Sequence, residues 1–303
     1  MKLATTTEDF FGECDTHIER VKNVYATGFR CIDLSLYGIC EEDELLLNDN
    51  WRKNAEEIKK YADIKGLEFV QAHGPGVNPL ESEAEFDNSL KLTLRAMEIC
   101  SYFGITNMVV HAGWRPDITD KEEWFVKNKS FYEKLFPEME RLNVNILHEN
   151  TYKTDEAHYY NRTGKDMREF SEFVNHPMFH SCWDTGHGNI GGGSQYDDII
   201  AMGDDLYAVH INDNHGQSDD HIIPFMGTVN MDEIINALME IDFKGPFTFE
   251  CSRALRPEKC WFGNRVEFKK DKRLASPGLE LKREIGRFMY KTGKYILRSY
   301  DLM

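Results

Sequence analysis

Six short apolar runs each close on a side chain that can bind a metal ion. His73 follows Glu68 to Ala72, His111 follows Asn107 to Val110, and Glu149 follows Asn145 to His148. Asp184 follows His180 to Trp183, His210 follows Tyr207 to Val209, and Glu250 follows Phe247 to Phe249. Imidazole nitrogens and carboxylate oxygens together suit zinc, manganese, cobalt or iron(II). Singly, each residue has an ordinary explanation: a histidine at a strand end is usually hydrogen-bonded, and Asp184 before Thr185 reads as a helix N-cap. Jointly they do not, because His, Asp and Glu are 11 and 52 of 303 residues and six successive runs ending on one of them exceeds chance. His17, His148, His158, His176, His180 and His215 have no such context and keep the ordinary reading.

The runs that carry these residues must be strands, and two more precede them, Lys2 to Thr5 and Cys31 to Ser35. Between them lie amphipathic helical stretches such as Glu85 to Phe103, with Leu90, Leu94, Met97 and Ile99, and Met231 to Met239, with Ile234, Ile235 and Leu238. Eight β-α units predict a single (β/α)8 TIM barrel over residues 1–303, with a long basic loop, 251–277, before the C-terminal helix. Active sites of such barrels lie at the C-terminal strand ends, so the six side chains should converge on one pocket.

Composition narrows the chemistry. A formal charge of −16 argues against a nucleic-acid partner, whose binding rests on phosphate neutralisation. No apolar run is long enough to span a membrane, and Met1-Lys2-Leu3-Ala4-Thr5 lacks the pattern of a signal peptide. The seven cysteines include no C-x-x-C pair, so neither a disulfide framework nor a thiolate zinc site is expected. A cytoplasmic protein acting on small molecules is the expectation, with homo-oligomerisation an open question.

The segments "CWDTGH" (182–187), "LHENT" (147–151), "FTFE" (247–250) and the Asp219-x-His221 pair resemble the xylose-isomerase-like barrel superfamily of sugar isomerases, ketose 3-epimerases and endonuclease IV. In its isomerases and epimerases one divalent ion is held from strands five to eight. The resemblance carries that set onto Glu149, Asp184, His210 and Glu250, with Glu149 and Glu250 as proton carriers. In endonuclease IV five further residues complete a three-zinc site, and the matching positions here are His73, His111, His187, Asp219 and His221. His187 would bind a second ion or touch the substrate, and Gly186 and Gly188 would let the backbone turn tightly around it. Three carboxylates lean toward manganese or a magnesium-like ion, while the added histidines pull toward zinc, with cobalt and iron as alternatives.

The resemblance therefore implies a metal-dependent isomerase or epimerase for a sugar or sugar phosphate. An endonuclease-IV-like three-metal phosphodiesterase is the alternative. One stretch departs from the acidity: Arg253 to Arg273 holds eight basic and three acidic residues, with Trp261 and Phe262 in its middle. Its place after strand eight suggests contact with an anionic part of the substrate through Arg253 or Arg256, and closure over the pocket.

Overall fold

A computed structural model describes residues 1–38, 43–154, 157–255 and 277–303. Eight parallel strands form a closed barrel in sequence order: β1 (Leu3–Thr6), β2 (Cys31–Ser35), β3 (Glu68–His73), β4 (Asn107–Val109), β5 (Asn145–Glu149), β6 (Phe179–Asp184), β7 (Leu206–Ile211) and β8 (Phe247–Phe249). Closure is direct, with Leu3, Ala4 and Thr5 opposite Phe247, Thr248 and Phe249.

The helices are α1 (His17–Thr27), α2 (Trp51–Lys65), α3 (Glu83–Phe103), α4 (Lys121–Glu133), α5 (Phe136–Leu142), α6 (Gly164–Val174), α7 (Thr185–Gly191), α8 (Gln195–Met202), α9 (Met231–Glu240) and α10 (Leu279–Ser299). Side-chain caps explain several of their starts. Thr16 and Thr163 form capping boxes with Glu19 and Asp166, and Ser82, Asp120 and Asn230 each accept from the backbone three residues on.

Strand alternation divides the interior. Outward side chains such as Met108, Ile146, Trp183, Val209, Phe247 and Phe249 pack in the large core beneath the helices. Inward ones form a smaller cluster, Val109, Leu147, Cys182 and Ala208, inside the barrel. Several strand ends differ from the sequence expectation. β4 and β8 stop at Val109 and Phe249, so His111 and Glu250 lie beyond the ladder, while β7 runs one residue past His210. None of this changes the face presented, because the side-chain period continues through an extended residue. Much of the basic loop, including Arg256, Trp261 and Phe262, lies outside the described residues. No helix among the described residues is long and apolar enough to cross a membrane.

Candidate metal centre

Stepping two residues on from the inward layer reaches the functional ring. Val109 leads to His111, Leu147 to Glu149, Cys182 to Asp184 and Ala208 to His210. Gln71 and Thr248, both fully buried, lead likewise to His73 and Glu250. The period of two therefore delivers all six side chains to the inner face at the top of the barrel.

Glu149, Asp184, His210 and Glu250 each bring a donor atom within 4.8 Å of the others, and all are buried. His210 Nδ1 lies 2.9 Å from Glu149 Oε1 and 3.5 Å from Glu250 Oε2. Two triads flank this centre under the same distance limit, His73–His111–Glu149 on one side and His187–Asp219–His221 on the other. His111 Nε2 is 2.7 Å from Glu149 Oε2, and His221 Nε2 is 2.9 Å from Asp219 Oδ2. Glu149 thus belongs to both the centre and the first triad.

The histidines are oriented for ligation. His73, His187 and His221 each direct Nδ1 to a backbone carbonyl, of Gly74 at 3.0 Å, Asn150 at 2.8 Å and Glu250 at 2.9 Å. A carbonyl only accepts, so Nδ1 carries the proton and Nε2 faces the site, the arrangement that imposes tautomer and ring angle on a metal ligand. Asp184 is held by Asn212 Nδ2 at 2.5 Å and by the His187 amide at 2.6 Å. Asp219 and His221 come from a loop closed by reciprocal backbone bonds between Asp213 and Ile222 at 2.8 and 3.0 Å. In the chamber, buried Asp219 Oδ1 has no hydrogen-bond partner and stands 3.6 Å from His187 Nε2. A surplus buried acceptor, clustered carboxylates and pre-set imidazoles fit a divalent cation.

Proton affinities reflect the same crowding. Burial pushes the Glu250 carboxyl up to about 8, against the pull of His210 and His221 and with help from Glu149. Burial also opposes ionisation of Glu149, but His210 and His111 overcome it and hold that carboxyl well below its ordinary range. For His73 and His221, burial is outweighed by Glu149 and Asp219 respectively, raising them to about 9 and about 10. Burial dominates at His111 and lowers it.

Asp184 is both an N-cap and a member of the central four, so the two readings of it coincide. The role expected of Gly186 and Gly188 is corrected. They lie inside α7, not in a tight turn, and neither has a positive φ. Close approach requires them instead: a Cβ at Gly186 would stand 2.0 Å from Asn212 Oδ1, and one at Gly188 2.6 Å from Gln195 Oε1. Arg253 reaches the rim, where it donates to the Asp219 carbonyl at 2.6 Å and sits 3.7 Å from its carboxylate.

The chamber measures ≈ 200 Å³ and adds residues that no motif announced, among them Glu8, Tyr37, Tyr152 and Tyr159. Tyr37 packs its ring 4.9 Å from that of His73 and Tyr152 5.2 Å from that of His187. Beneath His210, Gln71 Nε2 lies 2.7 Å from Asp33 Oδ2 and 2.9 Å from His210 Nε2. A polar residue on the inward face two positions before His73 was the available signal for Gln71. The tyrosines come from two loops, Tyr37 after β2 and Tyr152 and Tyr159 after β5, and had none.

Fold and site together define a parallel barrel with a cluster of nitrogen and oxygen donors, able to hold a metal ion, at its C-terminal face. The chain belongs to the xylose isomerase-like TIM barrel family, whose model matches residues 21–271. It is 28% identical over 172 residues to an uncharacterised protein of Sinorhizobium fredii, a match covering 54% of this chain and 52% of that one. It is 32% identical over 111 residues to the L-ribulose 3-epimerase of a Methylomonas species, covering 36% and 35%. The matched segments thus span about half and about a third of these relatives. A D-psicose 3-epimerase solved in the presence of D-fructose superposes with a TM-score of 0.75 over 98% of this chain and 99% of its own, at 17% identity, a likeness of fold.

Proposed function

We propose that this protein is a divalent-metal-dependent isomerase or epimerase of a sugar, acting by proton transfer at a carbon next to a carbonyl. One observation carries the reading: two buried carboxyl groups, Glu149 and Glu250, face one chamber beside Asp184 and both approach His210 Nδ1, at 2.9 and 3.5 Å. Two carboxyl groups so placed can serve one carbon as proton acceptor and proton donor. The epimerase relatives are consistent with it.

A bound cation would be held by Glu149, Asp184, His210 and Glu250, and would supply Lewis-acid charge that acidifies the C–H beside the carbonyl. Manganese and zinc suit the donor set best. Ionised Glu149 takes the proton as the C–H bond breaks and its electron pair shifts toward the carbonyl oxygen. Glu250, the second carboxyl of the chamber, returns a proton. Delivery to the opposite face of the same carbon inverts it, and delivery to the neighbouring carbon moves the carbonyl. His187 and His221 offer hydrogen bonds to sugar hydroxyls when they carry no ion, and the tyrosine walls exclude water from the reacting carbon.

The nine-residue donor set is also that of a three-ion phosphodiesterase. The −16 charge and the pairing of Arg253 with Asp219 disfavour DNA as the substrate. The test incubates manganese- or zinc-loaded protein with ketoses in D2O. Deuterium entering at the carbon beside the carbonyl is expected, and nicking of abasic DNA with no exchange in any sugar would overturn the reading.

A further inference from the structure

Past His111 the chamber opens into a second cavity of ≈ 540 Å³, bounded by loops after β2, β3, β4 and β5 and by the start of α3. Tyr37, His111 and Tyr159 line both spaces. Val77, Glu81, Asn88 and Trp114 line the outer one alone. The inner chamber is of a size that one monosaccharide ring with its hydroxyls fills. A substrate no larger than that would leave the outer cavity to water.

The outer walls are fixed in place. Asn78 clamps the Trp114 backbone from both sides, donating to its carbonyl at 2.8 Å and accepting from its amide at 3.0 Å. Buried Asn128 does the same for Gly113, at 3.1 and 2.7 Å. On the opposite side Gly76 admits the Tyr37 ring, since a Cβ there would stand 2.8 Å from the Tyr37 carbonyl and 3.1 Å from its ring. Three aromatic rings accompanied by the Glu81 and Glu85 carboxylates suit a polyhydroxylated ring, whose C–H faces pack on aromatics and whose hydroxyls donate to carboxylates. No lysine or arginine stands among the described lining residues, so the space is unsuited to a phosphate.

We propose that this outer cavity is a second sugar subsite, and that the preferred substrate is a keto sugar bearing an uncharged, glycosidically linked second ring. The inference rests on the sugar chemistry proposed above for the inner chamber. The reacting ring occupies that chamber, the linkage passes His111 between Tyr37 and Tyr159, and the second ring lies against Trp114.

The experiment compares solvent exchange in D-fructose with that in isomaltulose and lactulose, which are fructose units carrying a second hexose on O6 and O4. Wild-type protein and two variants are used, Trp114→Ala, which removes a wall, and Asn88→Trp, which fills the cavity from an exposed position on α3. At least one disaccharide should surpass fructose by about tenfold in kcat/KM. Both variants should erase that advantage while leaving fructose within about twofold. Equal kcat/KM for fructose and the disaccharides, or equal losses on both in the variants, would overturn the subsite and leave the proposed function standing. Exchange in none of the sugars would overturn the function, and the subsite with it. Asn88→Trp keeps the outcome readable if loss of Trp114 impairs folding.

Discussion

Two buried histidine–carboxylate clusters lie within one strand of each other, and only one gathers the donors that a cation would need. His148 follows Leu147 and precedes Glu149 on β5, so alternation sends it outward, toward α6. There His148 Nε2 lies 2.9 Å from Ser171 Oγ and 3.2 Å from Ser181 Oγ. Ser181 donates to Asp205 Oδ2 at 2.6 Å, and His180 Nδ1 lies 3.1 Å from Asp205 Oδ1. One carboxylate is shared between a hydroxyl and an imidazole, and burial pushes His148 down to about 4, leaving it neutral near pH 7. Around Glu149, three carboxylates converge with a surplus acceptor and histidines held above their ordinary range. Residue type and burial are alike in the two clusters. His148 Nδ1 also lacks a hydrogen-bond partner, so an unsatisfied atom does not separate the two clusters; the number of carboxylates gathered among the imidazoles does.

The strongest way to break this contrast is to neutralise the inner carboxylates. Glu149→Gln and Glu250→Gln should each reduce exchange by about 10²–10⁴-fold while circular dichroism stays unchanged. Wild-type activity in either variant would remove that residue from the proton-transfer pair.

Metal uptake offers the next largest effect. Glu250, one of the four residues that would hold the ion, is raised to about 8, so an entering ion must displace its proton. Affinity should therefore climb as pH rises toward about 8, with protons released on binding. Calorimetry in buffers of different ionisation enthalpy measures this, and pH-independent binding would contradict it. His221→Ala should weaken uptake by about 10–100-fold without unfolding the barrel.

The outer cluster should respond in stability instead. His148 is depressed in the fold, so its contribution is present above its unfolded value of about 6.5 and is lost as pH falls from there toward 4. Denaturant melts between pH 7 and 4 should show this decline, and His148→Leu should flatten it. The same substitution should lower stability at pH 7 by about 1–3 kcal/mol, chiefly through the Ser171 hydroxyl, which keeps only Ser181 at 3.4 Å, and leave metal binding unchanged. Loss of metal would show the clusters to be coupled.

Arg253 should matter least. It is exposed at the rim and engaged by Asp219, so Arg253→Ala should change KM for a neutral sugar by no more than about threefold. A much larger rise for a phosphorylated sugar than for its neutral parent would restore the anion-binding role that the basic loop suggested.

Much of this site was legible because it depends on local periodicity. An apolar run ending in His, Asp or Glu states which strand carries a ligand and on which face, whatever the rest of the chain does. The Asp219-x-His221 spacing marked its loop in the same way. Less legible were the strand limits at Val109 and Phe249, which depend on the neighbouring ladder, and the need for Gly186 and Gly188. Those glycines read as a turn, yet their cause is Asn212 and Gln195, which reach them only in the closed barrel.

By itself the sequence determined the eight β-α units and the inward parity of His73, His111, Glu149, Asp184, His210 and Glu250. Each follows from chemistry encoded within a few consecutive residues. Only the tertiary structure decided that Glu149 serves two donor groups, that Glu149 and Glu250 part in proton affinity, and that Tyr37, Trp114 and Tyr159 wall a second cavity. These depend on distances between loops far apart in the chain and on the low polarizability of the space they enclose, quantities that come into being when the barrel closes.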